Sequence, residues 1–596
     1  MLSKLSTKNI LVGAFFIFLM SYFLLRAWFV APMHDEVATF YHYIETGEIW
    51  GDQALKDANN HLLNSWLGYF FYRNFGEHFF LFRLPSLLAF VAYFFATKAI
   101  IEKFTFGKWK YLGFIALNTI PWITDYFSYT RGYGLAIGLF FSALYYLITF
   151  LEEKKIRHFI SCLLLLNLSV FANLTYLVIS LLIISYCIIF IGFHWTEWLK
   201  KQRIILASCI AICSLLLLPL IQFSLELKEA GALYYGSLAG LWEVTGKTVS
   251  KYVLFYNENW LKIAFICSAF LGLFLVFRNI RRTSFKNALA NNETLLLYLI
   301  GGNIIGILFL AKVMHVNYPE DRAAMYFVPL IILLFMQLIG QHPKTKFALV
   351  CLLFFPLSFL YQMNLTTSVF SPDDRMTPQF FKKIRAQLHA GETLGLYPIM
   401  QLTYSLHERN NTNSTKQIGQ AIGAFAPYFD VVVTKSTIYH DPKTAVNYQL
   451  FATDKQSTYC AYKRKTAFSQ TLLRDTLVEG KKTTAEFVDC YHCTIDPSWR
   501  NKLIKVVIDS RLITSNRINT ANFVITTEDE QQQPVRYDTQ NLRWFLGNKP
   551  QNKTFQQTYS FKKIGENEKL LKIYIWNPQK TAIQLKTSRI KFFELN

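Results

Sequence analysis

The sequence predicts a polytopic α-helical membrane protein of about 11 spans, followed by a soluble C-terminal region of α+β and β-sandwich-like character. Two observations carry this. First, 52% of the 596 residues are hydrophobic, with 54 Phe and 33 Tyr. Up to about Tyr361 they gather into runs of about 20 residues, the length that crosses a hydrocarbon core of ~30 Å. Second, the chain beyond Asn364 turns polar and alternates with the period of a strand. The expected domains are 1–363, in the membrane, 364–485, a mixed α/β region, and 486–596, sandwich-like, the last two lying outside the cytoplasm.

The first apolar run, Asn9 to Val30, is longer than a signal-peptide core and lacks a small-residue cleavage site. It reads as span 1. Residues 34–49 and 60–75 are aromatic but carry Glu45, Glu48, Arg73 and other charges, as amphipathic surface segments do. Further spans are expected at about 82–102, 110–124 and 132–151. The apolar stretch 158–193 would reach ~54 Å as one helix, too long for the bilayer core, and is split near Phe171-Ala172-Asn173-Leu174. The remaining spans fall at about 204–223, 261–277, 294–313, 325–340 and 346–362.

The net charge of +22 does not mark a nucleic-acid binder, because in the membrane half Lys and Arg cluster in short loops: Lys103 to Lys110, Lys154 to Arg157, Lys200 to Arg203, Arg278 to Lys286. That is the positive-inside pattern. It places the N-terminus in the cytoplasm and, with an odd span count, the C-terminal region outside. In a bacterium this means the inner membrane and the periplasm.

With that topology the unusual polar residues fall on one face. His34-Asp35-Glu36, Asn59-Asn60-His61, Arg83, Asp125, Tyr129, Arg131, Asn173 and Glu320-Asp321-Arg322 all lie at outer span ends or in outer loops. Acidic groups near a membrane are costly and usually kept for work. Asp35 can equally cap the helix that follows, and Arg83 and Arg131 can anchor helix ends at the interface. Arg322 has an ion-pair competitor in its neighbours Glu320 and Asp321. The motif Gly132-Tyr133-Gly134-Leu135-Ala136-Ile137-Gly138 misses the dinucleotide spacing, and Gly134 and Gly138 read as helix-packing positions.

The succession His34-Asp35-Glu36, Asn60-His61-Leu62-Leu63-Asn64, Phe82-Arg83-Leu84-Pro85-Ser86 and Tyr129-Thr130-Arg131-Gly132-Tyr133 resembles GT-C membrane glycosyltransferases, in particular the protein mannosyltransferase-like and aminoarabinose transferase-like group. Leu62 stands where that group carries a proline after the loop histidine. The resemblance covers roughly residues 9–360. It implies transfer of a sugar from a polyprenyl phosphate carrier to an extracytoplasmic protein, lipid or glycan hydroxyl, beside membrane lipids and without nucleic acid.

That chemistry needs a base for the acceptor hydroxyl and cations against the departing phosphate. Asp35 is expected as general base, with Glu36 as a second acid that positions the acceptor or a metal. Arg83, Arg131 and Arg322 are expected at the donor phosphate, and His34, His61, Asn64, Asp125 and Tyr129 at substrate. No cofactor is required, and a divalent cation is the one addition the acidic pair invites. The alternative is a lipid or glycan transporter or flippase, which would place ionisable residues near span centres. In the tail, Cys460, Cys490 and Cys493 suggest one structural disulfide and an odd thiol in an oxidising compartment.

Overall fold

A computed structural model describes residues 7–51, 54–104, 107–254, 285–340, 345–369, 374–412, 415–423, 426–435, 446–514, 521–547 and 551–596, with residue 371 and part of 262–284. The chain divides into two compact units. One comprises Met1–Val30 and His42–Phe370, the other Ala31–Tyr41 and Ser371–Asn596.

The first unit is helical. Among the described residues, seven helices are long and apolar enough to cross a membrane: Lys8–Phe29, Phe79–Lys103, Gly132–Glu153, Leu174–Phe193, Lys200–Glu229, Asn292–Val313 and Asp321–Ile339. Two more expected spans are shorter apolar helices, Ile156–Ala172 and Lys346–Gln362. The expected span at 110–124 is broken into Lys110–Asn118 and Pro121–Asp125, because proline at the first turn starts a helix and cannot continue one. The span at 261–277 lies largely outside the described residues.

The long stretch 158–193 breaks at Asn173 as expected. Its backbone is extended and its side chain accepts a hydrogen bond from the Thr175 amide, 3.0 Å, so the residue caps the turn into the next helix. Gly134 and Gly138 are packing positions. A Cβ at Gly134 would collide with the Tyr126 carbonyl, and one at Gly138 with that of Ala89, so only glycine lets these backbones approach.

The second unit is built on sheets. Strands β1 (Leu394–Leu396), β2 (Thr415–Ile418), β3 (Gln420–Ala421), β4 (Val431–Lys435), β5 (Tyr448–Thr453) and β6 (Tyr459–Arg464) come first. They are followed by β7 (Gln470–Val478), β8 (Lys481–Thr483), β9 (Phe487–Thr494), β10 (Leu503–Thr514) and β11 (Asn522–Glu528). The last are β12 (Pro534–Asn541), β13 (Gln551–Phe561), β14 (Leu570–Trp576), β15 (Ile583–Leu585) and β16 (Ser588–Leu595). One sheet runs β3-β1-β4-β6-β5, a second β2-β13-β10-β15-β8 with β16 and β7 attached, and a third β12-β11-β14-β9.

Alternate residues such as Ile504, Val506 and Ile508 of β10 and Ile573 and Ile575 of β14 point into one buried core, the period-2 pattern legible in the sequence. The expected boundary at 485/486 is not a break. β7 pairs with β16, and β2 pairs in parallel with β13, so strands from both expected domains share a sheet. The expected disulfide is also not formed: all nine cysteines are free. Cys490 faces the core while Cys493 is half-exposed on the same strand.

Candidate functional site

Residues 31–41 belong with the β-rich unit although they directly follow the first apolar helix. Met33 bridges to Arg375, and the His34 amide donates to the Asp374 carbonyl, 2.6 Å. His34 Nδ1 lies 2.9 Å from the Ile399 carbonyl oxygen. Further along, the Tyr41 hydroxyl donates to the Trp544 carbonyl, 3.0 Å, and the Arg543 guanidinium donates to the Tyr41 carbonyl. Arg409 stacks over the rings of Phe40 and Tyr41. This clamp is made of residues that are far away in sequence.

Within the segment a short helix, His34–Thr39, carries the acidic pair. Glu36 is fully buried, and its carboxylate accepts from the Met33 amide at 3.2 Å, capping the helix from its third position. The capping duty that Asp35 could have performed therefore falls to Glu36. Asp35 is half-buried at the second position, and its carbonyl accepts from the Thr39 hydroxyl, 2.8 Å. The helix runs on into one π turn, Phe40–Ile44, a distortion common at functional sites.

In the helical unit two of the three expected phosphate arginines come together. Arg131, fully buried at the start of Gly132–Glu153, donates from Nη2 to Asn59 Oδ1 at 2.9 Å. Arg322, on the turn Asp321–Ala324, donates to the same oxygen at 3.4 Å and to the Tyr235 hydroxyl at 2.7 Å. Both guanidinium carbons stand 5.8 Å from the centre of the Tyr133 ring. His61 packs edge-on against that ring, 4.7 Å between centroids. Asn64, one turn further on, is fully buried, and neither its amide nitrogen nor its oxygen has a hydrogen-bond partner among the described residues. Such a group costs about 1–3 kcal/mol if left so.

Three expected site residues are instead engaged in the fold. Arg83 donates from Nη1 to the carbonyls of Ala27 and Val30, 2.9 and 2.8 Å. It caps the end of the first helix, where unpaired carbonyls and the helix dipole attract a cation. Asp125 pairs with Arg26 through Oδ1, while Oδ2 accepts from the Ser368 hydroxyl at 2.6 Å and the Val369 amide at 3.1 Å. Both its oxygens serve the scaffold. Tyr129 accepts from Arg26 at 2.7 Å, and its ring centre stands 5.7 and 5.5 Å from the Arg26 and Arg83 guanidinium carbons.

The sequence reading missed Arg26, although a lone charge inside an apolar run was signal enough. Tyr235 carried no signal in the sequence that set it apart from the other tyrosines. Among the described residues no group of three or more His, Cys, Asp or Glu side chains is arranged to hold a metal ion.

No protein-family model matches the chain, and no curated protein matches it. Among solved structures it is similar to ArnT from Cupriavidus metallidurans bound to undecaprenyl phosphate, at 11% identity and a TM-score of 0.39, over 76% of this chain and 97% of that one. The apo state of ArnT aligns at 11% identity and a TM-score of 0.37, over 77% and 98%. The arabinosyltransferase EmbB from Mycobacterium smegmatis aligns at 10% identity and a TM-score of 0.32, over 99% of this chain and 65% of that one.

Proposed function

We propose that the chain is a membrane glycosyltransferase of GT-C type, moving a sugar from a polyprenyl phosphate-linked donor to an extracytoplasmic hydroxyl. The observation that carries the reading is the arginine pair. Arg131 and Arg322 come from distant parts of the helical unit and share one acceptor. Two adjacent guanidiniums suit an anion with several oxygens, and the phosphate that leaves in such a transfer is one.

The role of each group follows from its chemistry. Asp35 takes the proton of the acceptor hydroxyl as its oxygen attacks the anomeric carbon. The bond from that carbon to the carrier's phosphate breaks, and the electron pair leaves with the phosphate. Arg131 and Arg322 stabilise the charge that develops there. Glu36 holds the helix that presents Asp35. His61 and Asn64 are proposed to line the sugar, and His34 to orient the acidic segment through its backbone contact.

The test is mass spectrometry of extracytoplasmic glycoproteins and glycolipids from cells with and without the gene. A sugar lost with the gene and restored by the wild-type chain supports the reading. Asp35→Asn should remove a general base worth about 10²–10⁴ in rate while leaving expression and thermal stability unchanged. Full transfer by that variant would refute the assignment.

A further inference from the structure

We propose that Asn59 is a positioning residue for a phosphate group, its amide oxygen gathering Arg131 and Arg322 into one anion-binding pair. The inference rests on the reading of these arginines as a phosphate site and deepens it. Asn59 Oδ1 accepts from both guanidiniums, at 2.9 and 3.4 Å. The two cations repel each other, and a dipole aimed at both offsets part of that repulsion.

The turn that carries Asn59 is itself fixed. The Asp57 carboxylate accepts from the Asn59 backbone N–H at 2.7 Å. The neighbouring Asn60, 3% exposed, donates to the Ile49 carbonyl at 2.9 Å and accepts from the Ser65 hydroxyl at 3.1 Å. Arg131 is held at a helix start and against Tyr133, and Arg322 against Tyr235. Each member of the cluster is thus set by a different part of the chain, with Asn59 at the junction.

A neutral amide is suited to this role. It orders the pair through ordinary hydrogen bonds, which an incoming phosphate oxygen, with charge-assisted bonds roughly twice as strong, can outcompete. A carboxylate at the same place would form those stronger bonds itself. It would stabilise the cluster and exclude the ligand, so stability and binding should move in opposite directions when Asn59 becomes Asp. A residue with only a structural role would move both the same way.

The experiment measures farnesyl phosphate binding to the full-length chain in detergent by calorimetry, alongside thermal unfolding. Wild type should bind, and Arg131→Ala and Arg322→Ala should each weaken binding by about tenfold or more. Asn59→Asp should weaken it by about tenfold with an unchanged or raised unfolding temperature, and Asn59→Ala by about threefold.

If the arginine variants bind as wild type, the phosphate reading fails and this inference with it. If they weaken binding while Asn59→Asp binds as wild type, the phosphate reading stands and the positioning role of Asn59 is overturned. Loss of both binding and stability in Asn59→Asp also overturns it. Inorganic phosphate, titrated in parallel, should bind far more weakly. Equal affinity would assign the pair to free phosphate and overturn the lipid-linked assignment.

Discussion

Two arginine clusters of the helical unit treat charge in opposite ways. Around Arg26 the partner is a carboxylate, Asp125, whose second oxygen is taken by Ser368 and Val369, with the Tyr129 hydroxyl and the Asn364 carbonyl completing the shell. Around Arg131 and Arg322 the shared partner is one amide oxygen, backed by the faces of Tyr133 and Tyr235. The first cluster is closed and ties segment 364–369 to the helix bundle. The second gathers two cations on a weaker acceptor. A buried carboxylate with both oxygens taken is architecture, whereas two guanidiniums meeting on one amide oxygen suit a ligand.

The sharpest way to break this comparison is to remove Asp125. Asp125→Ala leaves Arg26 buried without its counter-ion and should cost about 3–5 kcal/mol, read as a fall in the unfolding temperature, while replacing both residues with apolar ones should recover most of it. If the single variant instead kept its stability and lost donor affinity, Asp125 would move from scaffold to site.

Next in size is Arg543→Ala, which removes the donor to the Tyr41 carbonyl in the clamp around the acidic segment. Misplacing a reacting group by 1 Å can cost about 100-fold, so transfer should fall steeply. Unchanged transfer would show that the segment keeps its geometry without this contact.

Arg83→Met tests the cap on the first helix. It should cost about 1–3 kcal/mol of stability by leaving buried carbonyls unpaired, with donor KM unchanged. A rise in KM would return Arg83 to the phosphate site.

The smallest effect concerns Lys416, fully buried with Nζ donating to the Glu408 carbonyl at 2.9 Å. Burial, helped by Lys553, pushes its pKa down from 10.5 to about 8. Between those values the unfolded chain keeps a proton that the folded one releases, so this group makes stability rise with pH across the window. Lys416→Met should flatten that part of the unfolding-temperature profile, and an identical slope would show that another group is responsible.

The sequence was most legible where local physics decides. The length of an apolar run sets a span, and Asn173 marks the break in the 36-residue stretch because its side chain caps the next turn. Alternation beyond Asn364 is carried by strands such as β10, β11 and β14. The acidic pair could be singled out because charge at the end of a span is costly. The 485/486 boundary failed because composition does not report that β7 pairs with β16. Arg83 was expected at the donor phosphate and Asp125 at substrate because a span end is where both an anchor and a ligand group would sit, and only their partners separate the two roles.

By itself the sequence determined a helical membrane region, a β-rich region after it and the polar motifs from which a candidate site is drawn, since these follow from hydrophobic length, periodicity and the cost of charge. The tertiary structure alone decided that Ala31–Tyr41 belongs with Ser371–Asn596, that Arg26 and Asp125 neutralise each other, and that Asn59 gathers Arg131 and Arg322. Each of these is a contact between residues remote in the chain. Their energies depend on distance and burial, and no local pattern records either.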